Sequence, residues 1–321
     1  KTKELFSLDL LNFKFLGRFS YLICAASFYF SVLFYVLFYL RNQNYVYTRD
    51  FYGAAVLKLL GKKVIFDAHY LPKTSSFLFK FFLKLNDGII AITDGLKKEL
   101  INFGAIPEKI FVLPDGVDLE KFNLNISKEE ARRKINLPQD WKIIIYAGHL
   151  YKWKGVHTLA LASVFFKNNE KIIFVGGKMN KDVPEFLEFV KNNNLKNVIV
   201  LGPKPYAEIP YYLNSADVLV LPNSGIEKLS AVYTSPLKMF EYMAAGKPIV
   251  ASDLPSIREV LSEKNAVLVK PDDDKDIAEG IKKVFSNLEF AEKISKNALR
   301  DAQNFSWKIR AEKIKDILLS L

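Results

Sequence analysis

Lys238 and Glu241 stand three residues apart within Tyr233–Ser252, YTSPLKMFEYMAAGKPIVAS, and share one face of a predicted helix. Ser235 is placed to cap that helix and Pro236 suits its first turn. A freshly capped helix start presents free N–H groups and a partial positive charge, which suit phosphate. The N–H groups of Leu237 and Lys238 would face such a ligand, whereas Pro236 has none to offer. A cation beside phosphate and a carboxylate able to accept ribose hydroxyls would together grip a nucleoside diphosphate. Spacing alone equally allows a solvated Lys–Glu pair on an ordinary helix.

The elements around this helix follow a simple alternation. Gly246 ends it and Pro248–Ala251 opens a short buried strand. Upstream, strands are expected at 45–48, 63–67, 88–92 and 110–113, with helices at about 51–60, 73–86 and 94–103. After a linker over 113–125, LPDGVDLEKFNLN, strands are expected near 143–147, 171–176, 197–201, 217–221, 248–251 and 266–269. Helices are expected near 154–168, 183–193, 206–214, 236–245, 255–261, 274–286 and 289–303, with a last one over 307–319. Strands alternating with helices imply parallel sheets with right-handed crossovers. The strand Ile143–Ala147 runs into GHLYKWKG (148–155) at its carboxyl end, where open α/β sheets bind ligands.

Composition narrows the chemistry. The chain has 321 residues, half of them hydrophobic, which is enough for two cores. A net charge of +11 suggests an anionic partner, either a phosphate-rich substrate or an acidic membrane surface. No Lys/Arg-dense tract or nucleic-acid motif is present, which disfavours nucleic acid. Cys24 is the sole cysteine, so an intramolecular disulfide and a cysteine metal site are excluded, and a reducing cytoplasmic setting is expected. His69, His149 and His157 are scattered, Asp272–Asp274 reads as a surface loop, and no metal is expected. The uncharged run Phe19–Leu40 is long enough to cross about 30 Å of hydrocarbon. Its Phe and Tyr residues are spread along it rather than belted at the ends, which favours a helix packed on the domain over a transmembrane span. The 73–86 stretch combines Lys73, Lys80 and Lys84 with four phenylalanines. It suits either a membrane interface or a core helix with snorkelling lysines.

The 235–252 stretch resembles the nucleotide-sugar signature of family-4 (group 1) retaining glycosyltransferases with the GT-B fold, in the branch that builds surface polysaccharides. VYTRD (46–50), VIFDAH (64–69), DGIIAITDGLKKEL (87–100), KIFVLPDGVDLEKF (109–122), IIYAGHLYKWKGVHTL (144–159), VIVLGPKPYAEIPYYLNSADVLVLP (198–222) and FSW (305–307) carry the resemblance in order. It implies two Rossmann-like domains: an acceptor-side domain over 1–116, a nucleotide-sugar domain over 117–304, and a terminal helix over 305–321 packing back on the first. The family's usual first strands and glycine-rich loop do not precede KTKELF, so the first domain is expected to lack its start.

The resemblance also implies roles. Lys154 matches the lysine that holds the donor diphosphate, and Gly148 its loop. His149 stands where the family usually has arginine and carries less charge, so it reads equally as a ligand or a loop residue. Glu241 matches the second glutamate of a Glu-x7-Glu motif and would bind ribose. The first glutamate falls on Tyr233. His69 ends its strand where the family places a histidine near the transferred sugar. Arg49 would meet phosphate of a lipid-linked acceptor, or pair with Asp50 or Asp67. The catalytic candidates are therefore His69, Lys154 and Glu241. The donor-binding candidates are Gly148, His149, Lys154, Ser235, Leu237, Lys238 and Glu241, and Arg49 is the acceptor-side candidate. The implied activity is metal-independent transfer from a UDP- or GDP-sugar to a lipid-linked or saccharide acceptor. It would take place at the inner face of the plasma membrane, bound peripherally to an anionic surface. A non-catalytic nucleotide-sugar-binding subunit and a nucleotide-sugar epimerase are the alternatives.

Overall fold

The computed structural model describes residues 18–39, 41–71 and 77–321. The chain divides into two units. The first holds the described residues up to Ile92, with Leu96–Val112 and Ile314–Leu321. The second holds Thr93–Gly95 and Leu113–Lys313.

The first unit runs α1 (Arg18–Tyr39), β1 (Tyr45–Thr48), α2 (Phe51–Leu59), β2 (Lys63–Ala68), α3 (Phe77–Leu85), β3 (Gly88–Ala91), α4 (Asp94–Asn102) and β4 (Ile110–Val112). Its four strands are parallel and lie in chain order β1-β2-β3-β4. The inner strands are buried runs, because helices cover both faces of a parallel sheet. α1 lies beside α2: Val36 is buried, and the Tyr29 hydroxyl donates to the Asp50 carboxylate at 3.0 Å. Its opposite side leaves Phe30, Phe34, Leu37 and Phe38 exposed. Among the described residues no helix is long and apolar enough to cross a membrane. α3 begins at Phe77, and Lys73 falls outside the described residues. α3 buries Phe79 and Leu83 and exposes Phe77 and Phe81 beside Lys80 and Lys84.

The second unit opens with α5 (Leu119–Phe122), α6 (Lys128–Lys134), β5 (Lys142–Ala147), α7 (Val156–Ala162), β6 (Glu170–Val175), α8 (Asp182–Asn192), β7 (Val198–Gly202), α9 (Ile209–Ser215) and β8 (Val218–Leu221). It continues with α10 (Leu237–Ala244), β9 (Ile249–Ser252), α11 (Pro255–Arg258), β10 (Val267–Val269), α12 (Asp274–Ser286), α13 (Leu288–Ala302) and α14 (Trp307–Ser320), whose end belongs to the first unit. The six strands are parallel in the order β10-β9-β8-β5-β6-β7. Strand order reverses direction at β5, and the crevice beyond such a strand is where open sheets take ligands. β5 alternates strictly. Ile143, Ile145 and Ala147 face one core with Met239, Phe240 and Met243 of α10, while Ile144 and Tyr146 face the other with Val156, Leu159 and Phe186.

Most elements lie within two or three residues of where the sequence places them; four differ more. α7 ends at Ala162 and passes into a 3-10 turn, Ser163–Phe165, instead of continuing to 168. α11 stops at Arg258, four residues in. α5 and α6 stand in stretches with no helix expected, and α6 is set by a reciprocal capping box between Ser127 and Glu130.

Candidate functional site

A cavity of about 610 Å³ opens at the carboxyl ends of β5, β6 and β7 and is closed on one side by the start of α10. It is lined by every donor-side residue singled out in the sequence: Gly148, His149, Lys154, Ser235, Leu237, Lys238 and Glu241. Sequence reasoning missed Lys204 and Tyr206, which line it too and follow β7.

Close backbone packing builds the loop after β5. Gly176 sits at φ 120°, where an added Cβ would lie 2.5 Å from the Gly148 carbonyl oxygen, so only glycine permits that approach. Gly155 sits at φ 72°, and a Cβ there would lie 1.6 Å from the Pro222 carbonyl oxygen. That contact fixes the turn carrying Lys154. Asp182, buried at the head of α8, accepts the backbone N–H groups of Leu150 (2.8 Å) and Lys178 and so ties down the 148–150 loop. Burial opposes its charge, but those N–H groups hold its carboxyl below the usual range. His149 Nδ1 lies 3.7 Å from Asp182 Oδ2, and its ring stacks on Tyr151. Tyr146 Oη donates to the His149 carbonyl (2.6 Å), and Tyr242 Oη accepts the Ala147 N–H (2.8 Å), which pins α10 to the end of β5.

Two lysines meet here. Lys154 Nζ lies 3.8 Å from the centre of the Trp153 ring, and burial lowers its pKa to about 8. Lys238 is 8% exposed. Its Nζ lies 4.0 Å from the centre of the Tyr146 ring and has no hydrogen-bond partner. Burial, then the charge of Lys154, holds Lys238 well below the ordinary lysine range, with Glu241 opposing. Glu241 is pushed up by burial, which the Tyr206 hydroxyl at 3.2 Å and Lys238 partly offset. Tyr206 in turn is pushed up to about 12, by burial first and then by Glu241.

One local expectation is corrected. Ser235 does not cap α10. Its Oγ accepts the Asp115 N–H at 3.2 Å, and the N-cap is Pro236, which offers no side-chain bond. The N–H groups of Leu237 and Lys238 stand in the first turn, outside the helical ladder, at the cavity both residues line.

His69 and Arg49 lie in the first unit, on the fully buried carboxylate of Asp67. Arg49 Nε donates to Asp67 Oδ2 at 3.2 Å, His69 Nε2 lies 3.1 Å from that oxygen, and Tyr47 Oη donates to it as well. Arg49 thus takes the Asp67 pairing, one of the partners weighed for it. Among the described residues no group of three or more His, Cys, Asp or Glu could hold a metal ion.

Comparison with known proteins agrees with this architecture. The family model for glycosyl transferases group 1 matches residues 127–301, and that for Glycosyltransferase Family 4 matches residues 18–121. A glycosyltransferase of Methanocaldococcus jannaschii, itself uncharacterized, is 31% identical over 68% of this chain and 56% of its own length. A Bacillus subtilis protein named as a teichuronic acid biosynthesis glycosyltransferase is 28% identical over 70% of this chain and 54% of its own. The chain thus spans little more than half the length of these relatives. Among solved structures, Anabaena HepE in complex with UDP superposes with a TM-score of 0.77 at 19% identity, covering 91% of this chain and 82% of that one. Sucrose-phosphate synthase from Thermosynechococcus elongatus gives 0.78 at 21% identity, covering 94% and 78%. At those identities the likeness establishes the fold, which is GT-B.

Proposed function

The chain belongs to the group 1 glycosyltransferases, and from that premise we propose that it moves a sugar from a UDP- or GDP-sugar to a lipid-linked or saccharide acceptor, with retention at the anomeric carbon. The observation that carries this reading is the cavity above β5. Three lysine side chains, two helix-start N–H groups and one carboxylate converge there on a space large enough for a nucleotide. In this reading Lys154 and the start of α10 hold the diphosphate, and Glu241 accepts the ribose hydroxyls. The leaving diphosphate gathers charge as the glycosidic bond breaks. Fixed donors aimed at that charge lower the barrier without the reorganisation that water would need. The same oxygens then take the acceptor's proton, so that a metal ion is not required. Arg49 and His69, fixed on Asp67, are assigned to the acceptor and the transferred sugar.

The test is to incubate full-length protein with UDP- and GDP-sugars and follow nucleotide release with and without lipid extract. Acceptor-dependent release with retained configuration supports the proposal. Binding without any release would mark a non-catalytic subunit, a new nucleotide sugar without acceptor would mark an epimerase, and no binding would remove the nucleotide reading.

We further propose peripheral attachment at the cytoplasmic face of an anionic bilayer. It is supported by the +11 charge and by the exposed aromatic and lysine side chains of α3.

A further inference from the structure

The Lys238 amine is buried at the cavity wall without a hydrogen-bond partner in the protein. A lysine amine nine-tenths buried normally has a hydrogen-bonded or charged partner, because an unpaired charge out of water is costly. Lys238 Nζ has none. Its stem passes Gly148, the Cδ lying 3.9 Å from where a Cβ of that glycine would stand. Its Nζ lies over the Tyr146 ring, and both Tyr146 and Gly148 line the cavity.

The groups around it supply no full counter-charge. Tyr146, on β5 beneath it, is a phenol that burial keeps uncharged, and Tyr242 on its own helix is kept uncharged in the same way. His149 lies against Asp182, and the Asp182 carboxylate is occupied by two backbone N–H groups. Lys154, from the turn at the head of α7, adds repulsion, and Lys204 adds a second cation on the cavity wall. Glu241, one turn along α10, is the single attractive carboxylate, and Tyr206 already bonds it.

We propose that Lys238 stands as a neutral amine in the empty site and takes up a proton from solvent when a nucleoside diphosphate enters, so that donor binding is coupled to the uptake of one proton and nucleotide release to its loss. The inference rests on the nucleotide reading and adds the protonation change to it. A diphosphate beside Nζ supplies the missing counter-charge and favours the ammonium form. The sign follows from the direction of the shift. Lys238 is depressed without ligand and returned toward its ordinary range with it, so at any pH between the two values binding gains a proton. Lys154, lowered by burial to about 8, is a second source of uptake in the alkaline part of that window, and variants of the two lysines separate them.

The experiment is titration calorimetry of the full chain across pH 6 to 9 with UDP and, separately, GDP, in buffers of differing ionisation enthalpy. The slope of heat against that enthalpy counts protons. Wild-type protein should gain close to one proton per nucleotide bound. Lys238→Met, which keeps the stem and removes the amine, should bind about tenfold more weakly and lose most of the uptake, whereas Lys154→Met, which removes a charge that depresses Lys238, should bind weakly and show uptake displaced to higher pH. Binding by wild-type protein with no proton uptake overturns the inference and leaves the nucleotide site standing. Uptake that persists undiminished in Lys238→Met overturns it as well. If neither nucleotide binds, the nucleotide reading and the inference fall together. The wild-type count stands by itself should a variant fail to fold.

Discussion

At the scale of single residues, the cavity separates two kinds of grip that mutation can tell apart. If Lys154 holds the diphosphate as proposed, Lys154→Ala should remove a charge-assisted contact worth roughly 1.5–3 kcal/mol. Affinity for UDP or GDP should fall about ten- to a hundred-fold, while the free nucleoside should bind as before. Glu241→Gln should weaken the diphosphate and the nucleoside alike, because its assigned partners are ribose hydroxyls. Calorimetry with both ligands checks the pair, and a Glu241→Gln loss confined to the diphosphate would remove the ribose assignment. That Gly148, Lys154, Lys238 and Glu241 would line one cavity was legible because the family resemblance set their motifs in order, with Lys238 and Glu241 on one helical face and Gly148 and Lys154 in one loop. Asp182, Tyr206 and Tyr242 were not legible. Each acts through a partner 32 to 95 positions away, on Leu150, Glu241 and Ala147, and short-range periodicity carries no trace of such pairs. Ser235 shows the converse failure. A residue with good capping chemistry was claimed by a distant backbone N–H, that of Asp115.

At the scale of elements, the strands were the most legible part, since buried parallel strands read as continuous apolar runs between turn residues. α5 and α6 were missed because they are short, α5 lying within the linker and α6 in the polar stretch after it. What anchors α6 is Arg132, 1% exposed. It donates to the carbonyls of Ser215, Gln139 and Trp141 and to Asp217 Oδ2 at 2.7 Å. Asp217 also takes Lys128 and the Ile143 N–H, so the cluster joins α6 and the turn after α9 to the first residues of β5. Arg132→Met should cost about 3–5 kcal/mol, because it strands three carbonyls and removes one of the two cations that hold the Asp217 carboxylate. A chemical unfolding curve of the variant with an unchanged midpoint would contradict this. Arg132 lies near the amino ends of the strands, away from the cavity, so nucleotide affinity of the folded variant should stay close to wild type.

At the scale of the whole molecule, charge predicts behaviour that no single site does. If attachment to anionic bilayers is peripheral, it should weaken from low to molar salt as the Debye length falls from about 30 Å to about 3 Å. Replacing Lys80 and Lys84 with Glu should lower binding to phosphatidylglycerol vesicles without unfolding the chain, because both side chains are exposed. Vesicle sedimentation across a salt series decides this, and indifference to anionic lipid would leave the +11 charge to phosphate-bearing substrates alone. The cation–ring contact at Lys154 has one more consequence. The chain carries three tryptophans, of which Trp141 packs against a core and Trp307 opens α14. Trp153 alone has an ammonium of the cavity resting on its ring. A ligand that draws Lys154 off the indole alters the electric field on that chromophore, so the molecule should signal occupancy by its own light. UDP should shift the intrinsic emission of the wild type and leave that of Trp153→Phe unmoved, which would turn an unlabelled protein into its own optical titration.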